Sequence, residues 1–550
     1  MKWSVYGAGT YCSWFLPIIK EQFTVEYIFD MSEEKQGSYV FGVPVCAPEK
    51  KLINKNPIIV LLNDLESGYD SLISLGCKQV IYALAQYQGG YSLYEYKKPL
   101  QLYSLAKSAI RLETKWDNTI NQLIETTSQK YNSNHIRFFN LAAPVDFDAT
   151  GGPCACLRNL YLANEQYGLI ENFFTICPST LKIPYDYNLK IDNKQKNNIF
   201  NGMAVDAIVC NDVISGNAIA TCLFILSTCD FLKKMEVLFD LNENDVFLLQ
   251  DPYMIQAFIY TFPNFKRVIA VNHVQGAMSS ELGKQNPELV DSYNQMQEEQ
   301  LRCIKNWIFP SVGAKEGFLR TASEGMLLAA KDRDFHIAYN GYEQKDTIHP
   351  DKDFVIEMDK INKEDVLFVS ATFLYKNKGV ERIPKILKDF KNITGCSVKW
   401  ILVGNGEMHD EVEANINKYL VPSDYVWYKQ RFDNQDNIFE LFRRADFYIM
   451  MHRVSVFDLS ILQAMSYECV PLLTNLGGNV ELCSYNNGIL VNENKMTLDL
   501  ELLLENGKWS ADRLEVMKKQ NKEVVEKKFN NKEFLKGYRE VLYNIGGVDG

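Results

Sequence analysis

Short apolar runs of strand length alternate with segments of helical period along nearly the whole chain. This alternation predicts α/β layers built on parallel sheets. Three blocks separate. The first, residues 1–103, opens with a strand over Trp3–Tyr6, a Gly7-Ala8-Gly9 turn, a helix over Cys12–Gln22 and a strand over Val25–Asp30. Later strands are predicted near Ile58–Leu62 and Gln79–Tyr82. A polar amphipathic stretch from Ser104 to about Gln129 reads as a connecting helix, and the polar run Lys130–Asn134 ends this 104–134 connector. The second block, 135–345, begins with a strand over Ile136–Leu141, passes the glycine loop Asp148–Pro153 and carries a hydrophilic insert near Lys190–Asn198. From Tyr342 to Asp365 the charged, proline-bearing composition is that of a linker. The third block, 346–550, starts at a strand over Val366–Ser370 and ends in a helix around Lys532–Tyr543.

A chain of 550 residues exceeds one core, so two to four domains are expected. Its formal charge of −11 argues against a general nucleic-acid binder, while leaving room for a local basic patch that meets phosphates or anionic lipid. The 13 cysteines form no metal pattern: Cys154 and Cys156 make a C-x-C with no second pair at zinc spacing. Others, such as Cys210, Cys222 and Cys229, lie in apolar runs where a reduced thiol acts as a small hydrophobe. No signal-peptide core is seen at the start, and the apolar run Ala218–Leu226 is far shorter than a membrane span. A cytoplasmic protein, with peripheral membrane contact left open and no metal or cofactor, is the expectation.

The densest chemistry lies in the third block. Ser455–Met465 reads as a loop feeding a helix, followed by the buried strand around Val470-Pro-Leu-Leu-Thr474 and a Gly477-Gly478 turn opening another helix. Strand-to-helix corners of open α/β sheets are where anionic ligands meet helix N-termini. Upstream, the loop Ser370–Gly379 brings Lys378 beside a glycine at a helix start, joining a point charge to free backbone donors. Lys378 is then either a phosphate ligand or a solvated charge. The turn Leu402-Val-Gly-Asn-Gly406 needs glycine torsions and carries little functional weight. Asp458 either caps the helix bearing Leu459, Leu462 and Met465 or supplies a carboxylate to a site.

This segment resembles the donor corner of family-4 retaining glycosyltransferases of the GT-B fold, whose pattern is Glu-x7-Glu-Ala-Met followed by Gly-x-Pro-Val-Val and Gly-Gly. The frame is kept, but Ser455 and Gln463 stand where the glutamates would be. The resemblance implies two facing Rossmann-like domains with an extra N-terminal one, and sugar transfer from a nucleotide diphosphate without a metal. It implies that Lys378 and the Gly477-Gly478 turn hold the diphosphate, that Gln463 meets the ribose, and that Ser455 lies by the transferred sugar. The family's loop arginine has no match, since Thr372 or Phe373 occupies its place. The acceptor implied is a glycan, a lipid-linked group or a protein, in bacterial surface polysaccharide assembly. Loss of both glutamates leaves a second reading open, a glycosyltransferase-like binding or partner protein without turnover.

In the second block the resemblance places Gly151 and Gly152 near the donor phosphate, with a plain β–α turn as the alternative. His273 ends the strand around Val268–Asn272, where the family has a histidine against donor sugar and phosphate; a satisfied, half-buried histidine is the alternative. Gln250 and Asp251 depart from the histidines of many relatives. In the first block, Gly7-Ala-Gly with Asp30 at the next strand's end is a truncated dinucleotide fingerprint. Gly42-Val-Pro-Val45 and Ala47-Pro-Glu49 resemble the nucleotide-sugar-binding domain of bacterial sugar acyltransferases. That block either binds a nucleotide or docks, and no partner domain for hydride transfer follows it.

Overall fold

A computed structural model describes residues 2–61, 65–77, 80–86, 90–95, 136–142, 152–177, 180–182, 239–274, 276–282 and 290–548, with short patches between 225 and 236. The expected connector 104–134, the insert 190–198, Gly151 and most of the Ala218–Leu226 run lie outside the described residues.

The first sheet contains β1 (Lys2–Tyr6), β2 (Thr24–Phe29), β3 (Tyr39–Val40), β4 (Val43–Cys46), β5 (Ile58–Val60), β6 (Val80–Gln86) and β7 (Gly90–Glu95), in the order β3-β4-β2-β1-β5-β6-β7. Its interior strands are parallel, and β3 and β7 pair antiparallel at the two edges. The β3–β4 hairpin and β7 are additions to the strands expected from the sequence. Gly42, at φ +78, makes the tight hairpin turn that a side chain would resist.

The second sheet contains β8 (Phe138–Leu141), β9 (Phe173–Cys177), β10 (Thr180–Lys182), β11 (Val246–Leu249), β12 (Val268–Val271), β13 (Asn306–Phe309) and β14 (Asp334–Ile337), ordered β10-β9-β8-β11-β12-β13-β14. Only β10 is antiparallel. The four residues of β8, β11 and β12 are all buried, as expected for parallel strands covered on both faces. Arg137, just before β8, forms a buried fork on Asp245, just before β11, at 2.8 and 2.7 Å. That bidentate pair fixes the two central strands at their N-terminal ends.

The third sheet contains β15 (Val366–Ala371), β16 (Val398–Val403), β17 (Tyr425–Tyr428), β18 (Phe447–Met450), β19 (Val470–Thr474) and β20 (Ile489–Val491). All are parallel, in the order β17-β16-β15-β18-β19-β20. Successive strands grow outward from β15 in one direction and from β18 in the other. The crevice above the C-terminal ends of β15 and β18 is therefore the switch point where open α/β sheets take ligands.

Two crossings join the second and third units. Tyr342 N donates to Phe529 O at 2.8 Å, and a Cβ on Gly341 would meet Asn530 O at 2.5 Å, so the outgoing and returning strands of chain run in contact. After the return, the helix Asn531–Gly546 lies on the second sheet, where Phe534, Leu535, Tyr538 and Leu542 pack against Phe138, Val246 and Ile269. The segment 346–550 thus includes a helix that completes the other unit's core. The stretch expected as linker also differs. It contains the helix Lys352–Met358, whose Phe354 and Met358 enter the third core four residues apart on one face. No helix among the described residues is long and apolar enough to cross a membrane.

Candidate functional site

The loops after β15 and β18 meet at the switch point because a glycine lets them. Gly379 has φ +65, and a Cβ there would sit 1.8 Å from Met451 O. Only glycine allows the Lys378 turn to settle on the chain leaving β18. From that turn Lys378 Nζ donates to Asp458 Oδ2 at 2.8 Å. His452, at the start of the Met451–Asp458 loop, brings Nε2 to 2.8 Å from the same oxygen. Its ring is buried, and Nδ1 has no hydrogen-bond partner among the described residues.

Asp458 stands at the N-cap of the helix Leu459–Ser466, yet its carboxylate makes no cap hydrogen bond. The capping alternative is therefore overturned: the Lys378 ammonium from another loop and the His452 ring from the same loop take the carboxylate in place of the local amides. Burial works to raise the Asp458 pKa, but Lys378 first and His452 next pull it well below the usual carboxylate range. For His452, burial lowers the pKa more than Asp458 raises it, and Lys378 lowers it further. The resting arrangement is a lysine–aspartate pair with a neutral imidazole against it.

An arginine absent from the loop after β15 arrives from the opposite side. Arg453 donates from its guanidinium to Lys376 O at 2.9 Å and from its backbone to Asn377 O at 2.8 Å, and it pairs with the buried Glu381. His452 and Arg453 were missed in the sequence. The available signal was a basic dipeptide directly after the apolar strand Phe447–Met450, at a position where a parallel sheet's ligand loops begin.

The glycine turn after β19 borders the same loop. Gly477 has φ +51, and a Cβ on Gly478 would meet Val456 O at 2.2 Å. Ser455 is buried; its Oγ donates to Asn479 Oδ1 at 2.6 Å, and its carbonyl accepts from Gly478 N at 3.2 Å. Asn479 in turn donates to Thr474 O at 2.9 Å. Ser455 thus ties two loops together. The helix expected to open here is only Gly478–Leu482. Its first amides, at Gly478, Asn479 and Val480, already donate to Ser455, Leu476 and Gly477 carbonyls. A single turn with occupied amides offers an anion less than the sequence suggested. Gln463, in the helix after Asp458, is half-buried, and its side-chain amide has no hydrogen bond among the described residues.

The second unit grips this region. Ser311 Oγ donates to Val456 O at 2.5 Å, and Asn340 Nδ2 donates to Phe457 O at 3.0 Å. Glu481 accepts from Val312 N and Gly313 N, at 3.0 and 2.8 Å, where the helix Val312–Thr321 begins. A Cβ on Gly313 would lie 2.3 Å from the Gly477 carbonyl carbon, so the two glycines set how closely the units approach.

His273 follows β12 and belongs to a polar chain across the C-terminal ends of the second sheet. Its Nε2 lies 2.8 Å from Gln250 Oε1, Gln250 Nε2 donates to Asn140 Oδ1 at 2.7 Å, and Asn140 Nδ2 donates to Thr175 Oγ1 at 3.2 Å. With Gln250 Nε2 committed to Asn140, His273 Nε2 carries the hydrogen. Burial pushes the His273 pKa down to about 4, so its imidazole is neutral at neutral pH. Asp251 caps the helix Pro252–Thr261 through Tyr253 N and Met254 N. No described hydrogen bond or ion pair links His273 to the Lys378 cluster. Gly152 begins the helix Gly152–Tyr167, while its partner Gly151 lies outside the described residues.

In the first unit, Asp30 accepts from Ala8 N at 2.7 Å and Ser32 N at 2.9 Å, with Lys35 at 3.3 Å. The acid of the truncated fingerprint is closed onto the glycine loop itself.

Residues 351–524 match the model of the family described as Glycosyl transferases group 1. Among curated relatives, the glycogen synthase of Oceanobacillus iheyensis is 28% identical over 112 residues, 20% of this chain and 22% of that protein. Glycogen synthase 1 of Synechocystis sp. is 26% identical over 130 residues, 24% of this chain and 26% of that protein. The chain thus spans about a quarter of the length of these curated relatives. Among solved structures, a sucrose-phosphate synthase from Thermosynechococcus elongatus aligns with TM-score 0.51 and 12% identity, over 75% of this chain and 98% of its own. The apo structure of OtsA aligns with TM-score 0.51 and 13% identity, over 74% of this chain and 99% of its own. The chain has the GT-B fold with Rossmann-like sheets, and its third unit is similar to the Glycosyl transferases group 1 family.

Proposed function

We propose that the protein is a glycosyltransferase that moves a sugar from a nucleotide diphosphate to a glycan, lipid-linked or protein acceptor. In this reading it works without a metal, retains anomeric configuration, and serves bacterial surface polysaccharide or glycoconjugate synthesis in the cytoplasm. The observation that carries the reading is the placement of Lys378 Nζ at the switch point, held there by Asp458 at 2.8 Å. Lys378 neutralises the diphosphate as it leaves, a preorganised charge aimed where negative charge develops. Gln463 offers its unpaired amide to the ribose. Gly477 and Gly478 keep the far wall of the site low enough for phosphate to approach. His273, neutral, contacts the sugar or phosphate, and Asp458 supplies the carboxylate nearest the reacting bond.

One observation favours a second reading, binding without turnover. The Ser455 hydroxyl is buried against Asn479, so the motif position that would face the sugar supplies no exposed group. A panel of UDP-, GDP- and dTDP-sugars, scored by calorimetric binding and by nucleotide release, separates the two. Transfer predicts saturable binding with nucleotide released on acceptor addition or slow hydrolysis. Binding with no release supports the second reading, and no binding by any donor defeats both.

A further inference from the structure

We propose that Asp458 is a shared counter-ion for Lys378 and His452, so that a nucleotide sugar drawing Lys378 onto its diphosphate leaves His452 to take up one proton from solvent. This rests on the reading of Lys378 as the diphosphate ligand. It adds a positioning residue, His452, that sits behind the site.

The argument is geometric. Lys378 Nζ and His452 Nε2 approach one oxygen, Oδ2, each at 2.8 Å. Asp458 accepts no cap amide from its own helix, so these two side chains are its described partners. His452 is fully buried; its Nε2 faces Oδ2, and its Nδ1 has no hydrogen-bond partner among the described residues, which leaves room for a second proton on the ring. The neutral ring can place its one hydrogen on Nε2 toward Oδ2; the proton taken up then goes to Nδ1, and the imidazolium so formed turns the Nε2–Oδ2 contact into a charged hydrogen bond.

What opposes protonation in the unliganded protein is burial together with Lys378. Of the other charged or titratable groups nearby, Arg453 is paired with Glu381, and the Tyr448 phenol from β18 donates to Ser460. When Lys378 turns to a diphosphate, its repulsion of an imidazolium falls, and Asp458 loses its cationic partner. Both changes raise the affinity of His452 for a proton. The proton comes from water or buffer, ends on the imidazole, and keeps Asp458 paired while the donor occupies Lys378. By linkage, the same coupling makes donor affinity depend on pH.

The test is calorimetry on the full chain with UDP-glucose, GDP-glucose and dTDP-glucose, in buffers of different ionisation heat between about pH 6 and about pH 7.5. The diphosphate of such a donor has no group titrating in that range. Expected is net uptake approaching about one proton per donor bound, with Kd rising up to about tenfold per pH unit as pH increases. His452→Gln should abolish the uptake and flatten the pH dependence. Lys378→Met should weaken binding and also abolish uptake, which keeps the test decisive if the buried histidine variant fails to fold. Binding without proton uptake, or uptake unchanged in both variants, overturns the coupling and leaves the glycosyltransferase reading standing. No binding by any of the three donors overturns that reading and the coupling with it.

Discussion

The first and third units present the same parts at the same place. Each has a parallel sheet whose growth reverses beside a central strand, a glycine turn after that strand, an aspartate near it and a lysine on the aspartate. The partners of the two carboxylates differ. Asp30 is held by two backbone amides, Ala8 and Ser32, with Lys35 as an exposed third contact. Asp458 is held by the Lys378 ammonium and the His452 ring, and by no amide of its own helix. Amides are fixed to the fold and cannot be surrendered without local unfolding. Lysine can rotate away and be replaced. A carboxylate closed on amides is therefore architecture, while one closed on side chains is part of a site that exchanges partners. We propose from this difference that the first unit docks or supports and that the third carries the ligand chemistry.

The comparison breaks most severely at the glycines. Gly379→Ala forces a side chain into Met451 O at a left-handed position, and about 3 kcal/mol or more of stability should be lost, with donor binding lost alongside. Gly9→Ala, in the corresponding turn of the first unit, meets nothing within 4 Å and should change stability by under about 0.5 kcal/mol. Denaturant midpoints of the two variants measure this. Next comes the lysine pair. Lys378→Met should weaken nucleotide-sugar binding by roughly ten- to a hundredfold, the effect of one charge-assisted contact. Lys35→Met, which removes an exposed partner of a satisfied carboxylate, should leave binding unchanged. Equal losses from both would erase the distinction between the corners.

Much of this site was legible as a frame and little of it as contacts. Strand-glycine-helix spacing placed Lys378, Gly379, Gly477 and Gly478 correctly relative to β15 and β19, because those features are local and periodic. For Asp458 the sequence leaves a cap and a site carboxylate both open, and the local capping rule loses to a lysine 80 residues away in sequence. Spacing carries no signal for such a partner. His452 escaped notice because burial is a property of packing, invisible in a Met-Met-His-Arg string. Ser455 looked like a lost glutamate, and its bond to Asn479 shows what the smaller side chain does instead. The helix Lys352–Met358 was hidden by its charged composition, although Phe354 and Met358 already stood at helical spacing.

A third prediction concerns the second unit, whose His273 is satisfied by a side-chain chain rather than by a counter-ion. With a folded pKa of about 4 against an ordinary value near 6.5, the unfolded chain binds the proton more readily between those limits. Stability should therefore be complete above about pH 6.5 and fall as pH drops toward about 4, by about 3 kcal/mol. His273→Gln should flatten that part of the stability profile. A wild-type curve already flat there would mean that His273 is solvated and titrates normally.

The smallest effects discriminate most finely, and they come from replacing each aspartate by asparagine. Asp30→Asn keeps one acceptor oxygen but turns an amide donor toward a backbone N–H, and about 1 kcal/mol should be lost. Because its amide bonds and Lys35 outweigh burial and hold the Asp30 carboxyl below its ordinary value, that advantage exists above about pH 4 and shrinks as pH falls below it. Asp458→Asn should cost no more stability, since Lys378 is partly exposed and can turn to solvent. Its signature is in binding: with its counter-ion gone, Lys378 meets a diphosphate without first breaking a pair, and affinity should strengthen about threefold while turnover falls. Asp30→Asn should move neither. If Asp458→Asn weakened donor binding, the carboxylate would be holding Lys378 in its working position rather than competing for it, and the exchange that separates the two corners would not occur.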